Sequence, residues 1–103
     1  YLISGVIMVT TPQKISAIDV TRAINLYKKF AVPIIGIIEN MSYYTSQNFS
    51  EKINIFSGDS GKQLSIDHNI PLLAKIALNT DLAKTCDLGE SLNNYFNLLD
   101  FEI

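Results

Sequence analysis

The 103-residue sequence holds one cysteine, one histidine and three prolines, and its charges nearly balance at a net −2. A single thiol, Cys86, cannot close an internal disulfide and gives one chain no C-x-x-C pair for metal or redox chemistry. No Lys/Arg cluster exceeds the pair Lys28-Lys29, so neither nucleic acid nor an anionic membrane is expected as a partner. The longest apolar run, Phe30 to Ile38 with Pro33 and Gly36 counted in, falls well short of the roughly 20 residues of a membrane span. Tyr1-Leu2-Ile3 carries no basic n-region and no small-residue cleavage pattern, so no signal peptide is expected. These absences favour a soluble protein of a reducing cytoplasm.

What is present is ordinary globular material: 48% hydrophobic and 17% charged residues, in a chain long enough to build a core without staples. Gly5-Val6-Ile7-Met8-Val9 is a β-branched apolar run that predicts a strand buried on both faces. From Ser16 the period becomes helical, with Val20, Ala23, Ile24 and Tyr27 on one face. Ser16 with Asp19 reads as a capping box, and Lys28 and Lys29 suit the last turn. Pro33 opens a second strand, Ile34 to Ile38. Residues 42–57 have no steady period and read as a long loop or short hairpin. A helix is expected over Lys62 to Asp67, with Gly58 and Gly61 near its start, and a third strand over Pro71 to Leu78. A short helix over Asn79 to Cys86 and a terminal one over Ser91 to Leu99, with Leu92, Tyr95, Phe96 and Leu99 inward, complete the chain.

The order β-α-β-loop-α-β implies parallel strands and an α/β class. Three such apolar strands want cover on both faces and more neighbours than the chain supplies, so the C-terminal part of a larger α/β domain is expected. Ligands of open parallel sheets bind beyond the carboxyl ends of the strands. The three exits here are Thr10-Thr11-Pro12-Gln13, Glu39-Asn40-Met41 and Leu78-Asn79-Thr80-Asp81. An amide such as Asn40 donates and accepts at once, as an adenine edge does through N6 and N7; an Asx turn or a cap explains the same residue. Thr10 and Thr11 suit phosphate or ribose, or their own backbone.

The blocks GVIMVTTPQ, then Asp19, VPIIGIIENMSYY, IFSGDSGKQL, IPLLAKIAL and CDLGES occur in that order. Together they resemble the C-terminal half of the Mrp/ApbC group of iron–sulfur cluster carrier ATPases, which are MinD-like deviant Walker P-loop proteins. The resemblance covers residues 4 to about 91. It implies a partial three-layer P-loop NTPase (Rossmann-like) fold with a mostly parallel sheet, in which residues 1–103 form the C-terminal part of the ATPase domain and the N-terminal P-loop half is missing. It also implies that Asn40, within the E-N-M motif with Met41, contacts the adenine base. Pro12 and Gln13 would shape the turn near the nucleotide, and Asp19 would lie near the nucleotide and the dimer face, if it is not simply the capping acid. Asn79 stands where the family has the acid of its I-P-L-D block, keeping the shape for base recognition without the charge.

Several family parts are missing from these letters. The Walker A loop and the Walker B acid lie upstream in the family. The internal FSGDSGKQ does not replace them: Phe56 occupies the first glycine position, and Gln63 stands in for the hydroxyl that would bind Mg²⁺. ATP and Mg²⁺ are therefore expected only with the missing half, and the chain alone is not expected to hydrolyse ATP. Ser46 and Phe49 occupy the family's C-x-x-C positions, and neither is a thiolate ligand for an Fe–S cluster. Asp87 and Gly89 match the family's D-x-G, with Ser91 in place of the following proline.

The resemblance implies an ATP-binding iron–sulfur cluster carrier or assembly ATPase of the cytoplasm, in which this chain supplies the adenine side of the site and part of a dimer interface. Implied partners are nucleotide, a second copy or the complementary N-terminal half, and iron–sulfur client proteins. The alternative is a degenerate or split remnant serving as a non-catalytic dimerisation or scaffold module. A MinD-type positioning ATPase fits less well, because LNNYFNLLDFEI lacks the basic flanks of a membrane-binding helix. His68 reads as a solvated residue at a helix end and Cys86 as inert buried packing. Tyr43, Tyr44 and Phe49 form either an exposed aromatic patch or a lid folded onto the sheet edge.

Overall fold

A computed structural model of the chain describes residues 3–44, 53–56, 58–93 and 99–101. Strand β1, Val6–Thr10, leads into helix α1, Lys14–Lys29. After α1 come β2 (Ile34–Glu39), α2 (Ser60–His68), β3 (Leu72–Ile76), α3 (Thr80–Leu88) and β4 (Leu99–Phe101). The sheet order is β1-β2-β3-β4; β1, β2 and β3 run parallel and β4 joins β3 antiparallel. This is the expected α/β class, with parallel strands alternating with helices.

Local chemistry sets the element ends. Helix α1 closes with Phe30 N–H on the Leu26 carbonyl and Ala31 in the left-handed region at φ 56, and Lys28 and Lys29 lie in its last turn. Pro33 then restricts Val32, the residue before it, to extended backbone ahead of β2. Helix α2 ends on a left-handed Asn69, with Ile70 N–H returning to the Ser65 carbonyl. Helix α3 begins at Asn79, whose Oδ1 accepts from Leu82 N–H at 2.9 Å, and stops at Gly89 with φ 68.

Helices α1 and α2 lie together on one face of the sheet. Their Val20, Ile24 and Leu64 meet Ile37 and Ile70 in the core, ringed by Met8, Ala17, Ile34 and Leu72. The opposite face is a different surface. Ile7 and Val9 point there, 48% and 55% exposed, and pair in register with Gly36 and Ile38. Leu73 lies over Gly36, where a built Cβ would fall 2.3 Å from its side chain. The register slips between Val6 and Ile7, so Ile35 is an extra residue on β2 and stands half in solvent.

Several expectations are corrected here. Strand β1 is not buried on both faces, because both flanking helices lie on the same side. The Ser16–Asp19 capping box does not form. The helix starts two residues before Ser16 with Gln13 as N-cap, and the Ser16 hydroxyl meets the Thr11 hydroxyl at 2.5 Å instead. Cys86 is exposed, since α3 buries no residue against the sheet. Leu99 belongs to an antiparallel strand, not a helix; residues 94–98 of the expected terminal helix lie outside the described residues, as do Ser46 and Phe49. Tyr43 is buried, and the Tyr44 backbone bridges Ile53 and Leu78 across the strand ends, so these two residues belong to the sheet edge rather than to a protruding loop. Tyr44 and Ile53 form an antiparallel bridge, while residues 45–52 between them lie outside the described residues.

Ile24, fully enclosed between α1 and the sheet, is the test of this one-sided core. Ile24→Ala should cost about 2–5 kcal/mol in urea unfolding, whereas Leu26→Ala, on the exposed side of the same helix, should stay within about 0.5 kcal/mol.

Candidate functional site

The three parallel strands bring their carboxyl ends to one edge, and hydrogen bonds lace those ends together. Asn40 N–H donates to the Thr10 carbonyl at 2.7 Å, joining the β2 exit to the β1 exit. Ser42 N–H donates to the Ile76 carbonyl at 2.9 Å, and Leu78 N–H to the Tyr43 carbonyl at 2.6 Å, joining it to the β3 exit. Between them Met41 sits in the left-handed region at φ 53, which turns the chain and places Asn40 at its crest. A non-glycine residue is held in that conformation only where its surroundings over-determine it.

Asn40 lines a cleft of about 240 Å³ together with Thr10, Thr11, Ser16 and Asp19, with Val9 and Val20 also in its lining. Its Oδ1 accepts from Met41 N–H at 2.9 Å, which fixes the amide plane and leaves Nδ2 as a donor with no partner among the described residues. Of the expected site residues, Asn40 and Asp19 thus share one cleft. Pro12 is buried and lines an adjoining hollow of about 270 Å³ with Lys14, Gly58 and Asp59. Gln13 is exposed, and its Oε1 accepts from Thr11 Oγ1 at 3.3 Å. Met41 is 39% exposed on the turn. Asn79 lies at the third tip, outside the cleft lining, with its carbonyl oxygen committed to capping α3.

The residue that sequence reasoning left without a role is Glu39. It is 2% exposed, and both carboxylate oxygens are engaged: Oε2 by Ser42 Oγ at 2.5 Å and Oε1 by Gly61 N–H at 3.1 Å. Helix α2 has no acid in its first turn, and its N-cap Asp59 makes no side-chain capping bond, so the acceptor for the Gly61 amide comes from the sheet. Ser60 adds a second tie: its hydroxyl donates to the Thr11 carbonyl and lies 3.3 Å from Thr10 Oγ1. The available signal was a charge closing an apolar strand ahead of a helix with no acidic start. The same contacts show why FSGDSGKQ is no phosphate loop, since the Gly61 amide is already bonded inside the protein.

A third hollow, polar and about 510 Å³, opens beside Ser42 and Lys75 next to the 54–59 segment. Among the described residues no group of three His, Cys, Asp or Glu side chains gathers to hold a metal ion, and no helix is long and apolar enough to cross a membrane. Since Cys86 is the chain's sole thiol, a single chain offers no cysteine pair to a cluster.

Residues 2–98 match the family model described as ParA, NUBPL iron-transfer P-loop NTPase. The chain is 47% identical over 98 residues to an iron-sulfur cluster carrier protein of Rickettsia conorii, covering 95% of this chain and 27% of that protein. It is 40% identical over 95 residues to a cytosolic Fe-S cluster assembly factor NUBP2 homolog of Trichoplax adhaerens, covering 92% of this chain and 36% of the relative. A nucleotide-binding protein of Archaeoglobus fulgidus, solved in complex with ADP, superposes with a TM-score of 0.74 at 30% identity, over 88% of this chain and 37% of the other. The chain therefore spans about a quarter to a third of the length of the curated relatives it matches.

The loop entering α2 can be tested directly. Gly58 has φ +114, and a built Cβ would lie 2.6 Å from the Pro12 carbonyl oxygen; Gly89, at φ +68, has nothing within 4 Å. Gly89→Ala should cost about 1 kcal/mol in chemical denaturation, from backbone conformation alone. Gly58→Ala should cost clearly more, because contact with backbone adds to the conformational strain.

Proposed function

The chain belongs to the ParA family of NUBPL-type iron-transfer P-loop NTPases, and from that premise we propose that it is the C-terminal part of an Mrp-like ATPase that carries or assembles iron–sulfur clusters. It supplies the adenine side of the nucleotide site, while the Walker loops come from the N-terminal half. The observation that carries this reading is the cleft at the shared carboxyl edge, where Asn40, Thr10, Thr11 and Asp19 meet above a parallel sheet. Asn40 offers Nδ2 to an acceptor nitrogen and a second Oδ1 lone pair to an amino group, the pairing an adenine edge requires. The ADP complex of the Archaeoglobus relative supports nucleotide as the ligand.

One sheet face, exposed among the described residues, supports the placement. Ile7 and Val9 lie half in solvent there, and among the described strands β1 pairs with β2 alone. The occupant we assign to both is the P-loop half of the same domain, which fits relatives about two and a half to three and a half times as long as this chain. That half holds the phosphates and Mg²⁺, whose charge stabilisation drives phosphoryl transfer. The name of the Trichoplax relative supports a cytosolic setting, and a dimer interface and iron–sulfur clients follow the same family reading.

A non-catalytic dimerisation or scaffold module is the second reading, favoured by Ser46 and Phe49 at the family's cysteine positions. Calorimetry separates the two. With the P-loop half present, Asn40→Ala should weaken Mg-ATP binding by about 1–3 kcal/mol, on the order of 5- to 150-fold. The 103 residues alone should bind it weakly or not at all. Unchanged affinity in Asn40→Ala, or no ATP binding by the longer protein, favours the scaffold.

A further inference from the structure

Glu39 sits one residue before the crest that presents Asn40, and it faces the protein interior. Its carboxylate joins two segments 22 positions apart at their nearest bond, taking Ser42 Oγ on one oxygen and Gly61 N–H on the other. We propose that Glu39 is the positioning residue of this site, so that a ligand seated at Asn40 and the order of the first turn of α2 depend on one another. The inference deepens the adenine-side reading above and rests on it.

The crest is a strained turn held in place by its surroundings. Met41 holds a left-handed φ, and the bonds that keep it there are Asn40 N–H to Thr10, Ser42 N–H to Ile76, and the Ser42 hydroxyl to Glu39, besides Met41 N–H to Asn40 Oδ1 within the turn itself. The first two anchor backbone to neighbouring strands. The third is the only one of these bonds that reaches from the crest to a side chain also holding α2. At the other end, the N-cap Asp59 makes no side-chain capping bond, and the Glu39 carboxylate accepts from the Gly61 amide in the first turn of α2 instead. Gly61 makes the link short: a built Cβ there would lie 3.0 Å from Glu39 Cβ, leaving the helix no room for a side chain between them. Ser60, bonded to the Thr11 carbonyl, ties the same turn to the β1 wall of the cleft. The first turn of α2 thus touches both strand exits that frame Asn40.

Coupling between two such sites is reciprocal, which gives the test. Mg-ATP and Mg-GTP binding is measured by calorimetry in the full-length protein carrying this chain. Amide exchange over residues 58–64 is followed by mass spectrometry with and without Mg-ATP. In the unaltered protein, Mg-ATP should slow exchange across this turn several-fold. Ser42→Ala cuts the crest from Glu39 and leaves the Gly61 bond in place. It should bind Mg-ATP about tenfold more weakly, the order expected for one lost bond to a charged group. It should also lose part of its preference over Mg-GTP and abolish the ATP-induced slowing. Glu39→Gln can keep both hydrogen bonds in neutral form, so the fold is expected to survive while the slowing falls.

Asn40→Ala separates this inference from the reading beneath it. If Asn40→Ala weakens Mg-ATP binding while Ser42→Ala and Glu39→Gln retain both the nucleotide preference and the slowing, the coupling is overturned and the base contact stands. If Asn40→Ala binds Mg-ATP as the unaltered protein does, both are overturned.

Discussion

A carboxylate closed inside the protein sets the geometry around it. Glu39 ends β2 in a place where an unpaired charge would be prohibitive, and it is tolerated because a hydroxyl and a helix amide satisfy its two oxygens. From that pairing the rest of the edge follows. The amino end of α2 must come to the sheet, so Gly61 has no side chain and Ser60 turns inward to the β1 exit. The helix is thereby placed where Leu64 reaches Ile37 and Ile24, and the polar edge and the apolar core share one positioning element.

Most of the fold could be read in the letters because it rests on local pattern. The β-branched runs at Val6–Val9 and Ile34–Ile38 marked strands, and the helical spacing of Val20, Ile24 and Tyr27 marked α1. What escaped depended on neighbours that a local pattern does not name. Leu99 falls at helical spacing from Leu92 and Tyr95, yet its backbone pairs with Ile76 of β3. Cys86 was expected to be buried from residue type, while it is exposed on α3, a helix with no buried residue. Ser16 carried a capping signature that lost to an earlier start at Gln13.

The candidate site was partly legible for the same reason. Asn40 and Asn79 are the same residue type at equivalent strand exits, and only the folded chain separates them: one lines a cleft and the other caps a helix. Asp19 shares that cleft although its helix spacing suggested a capping role. Glu39 stood in plain view within E-N-M but could be given no task, because its partner Gly61 lies 22 positions away. Residues facing a ligand advertise themselves by type; residues that aim them do so only through long-range contacts.

The sheet order β1-β2-β3 repeats the order of the chain. Each parallel strand therefore docks on the one made just before it, and no strand must be threaded between two already paired. During synthesis this permits growth from one side, with α1 and then α2 laid down as each crossover closes. Loop-closure entropy is met one crossover at a time rather than in a single long closure, although each parallel pairing remains non-local and therefore slow beside a hairpin.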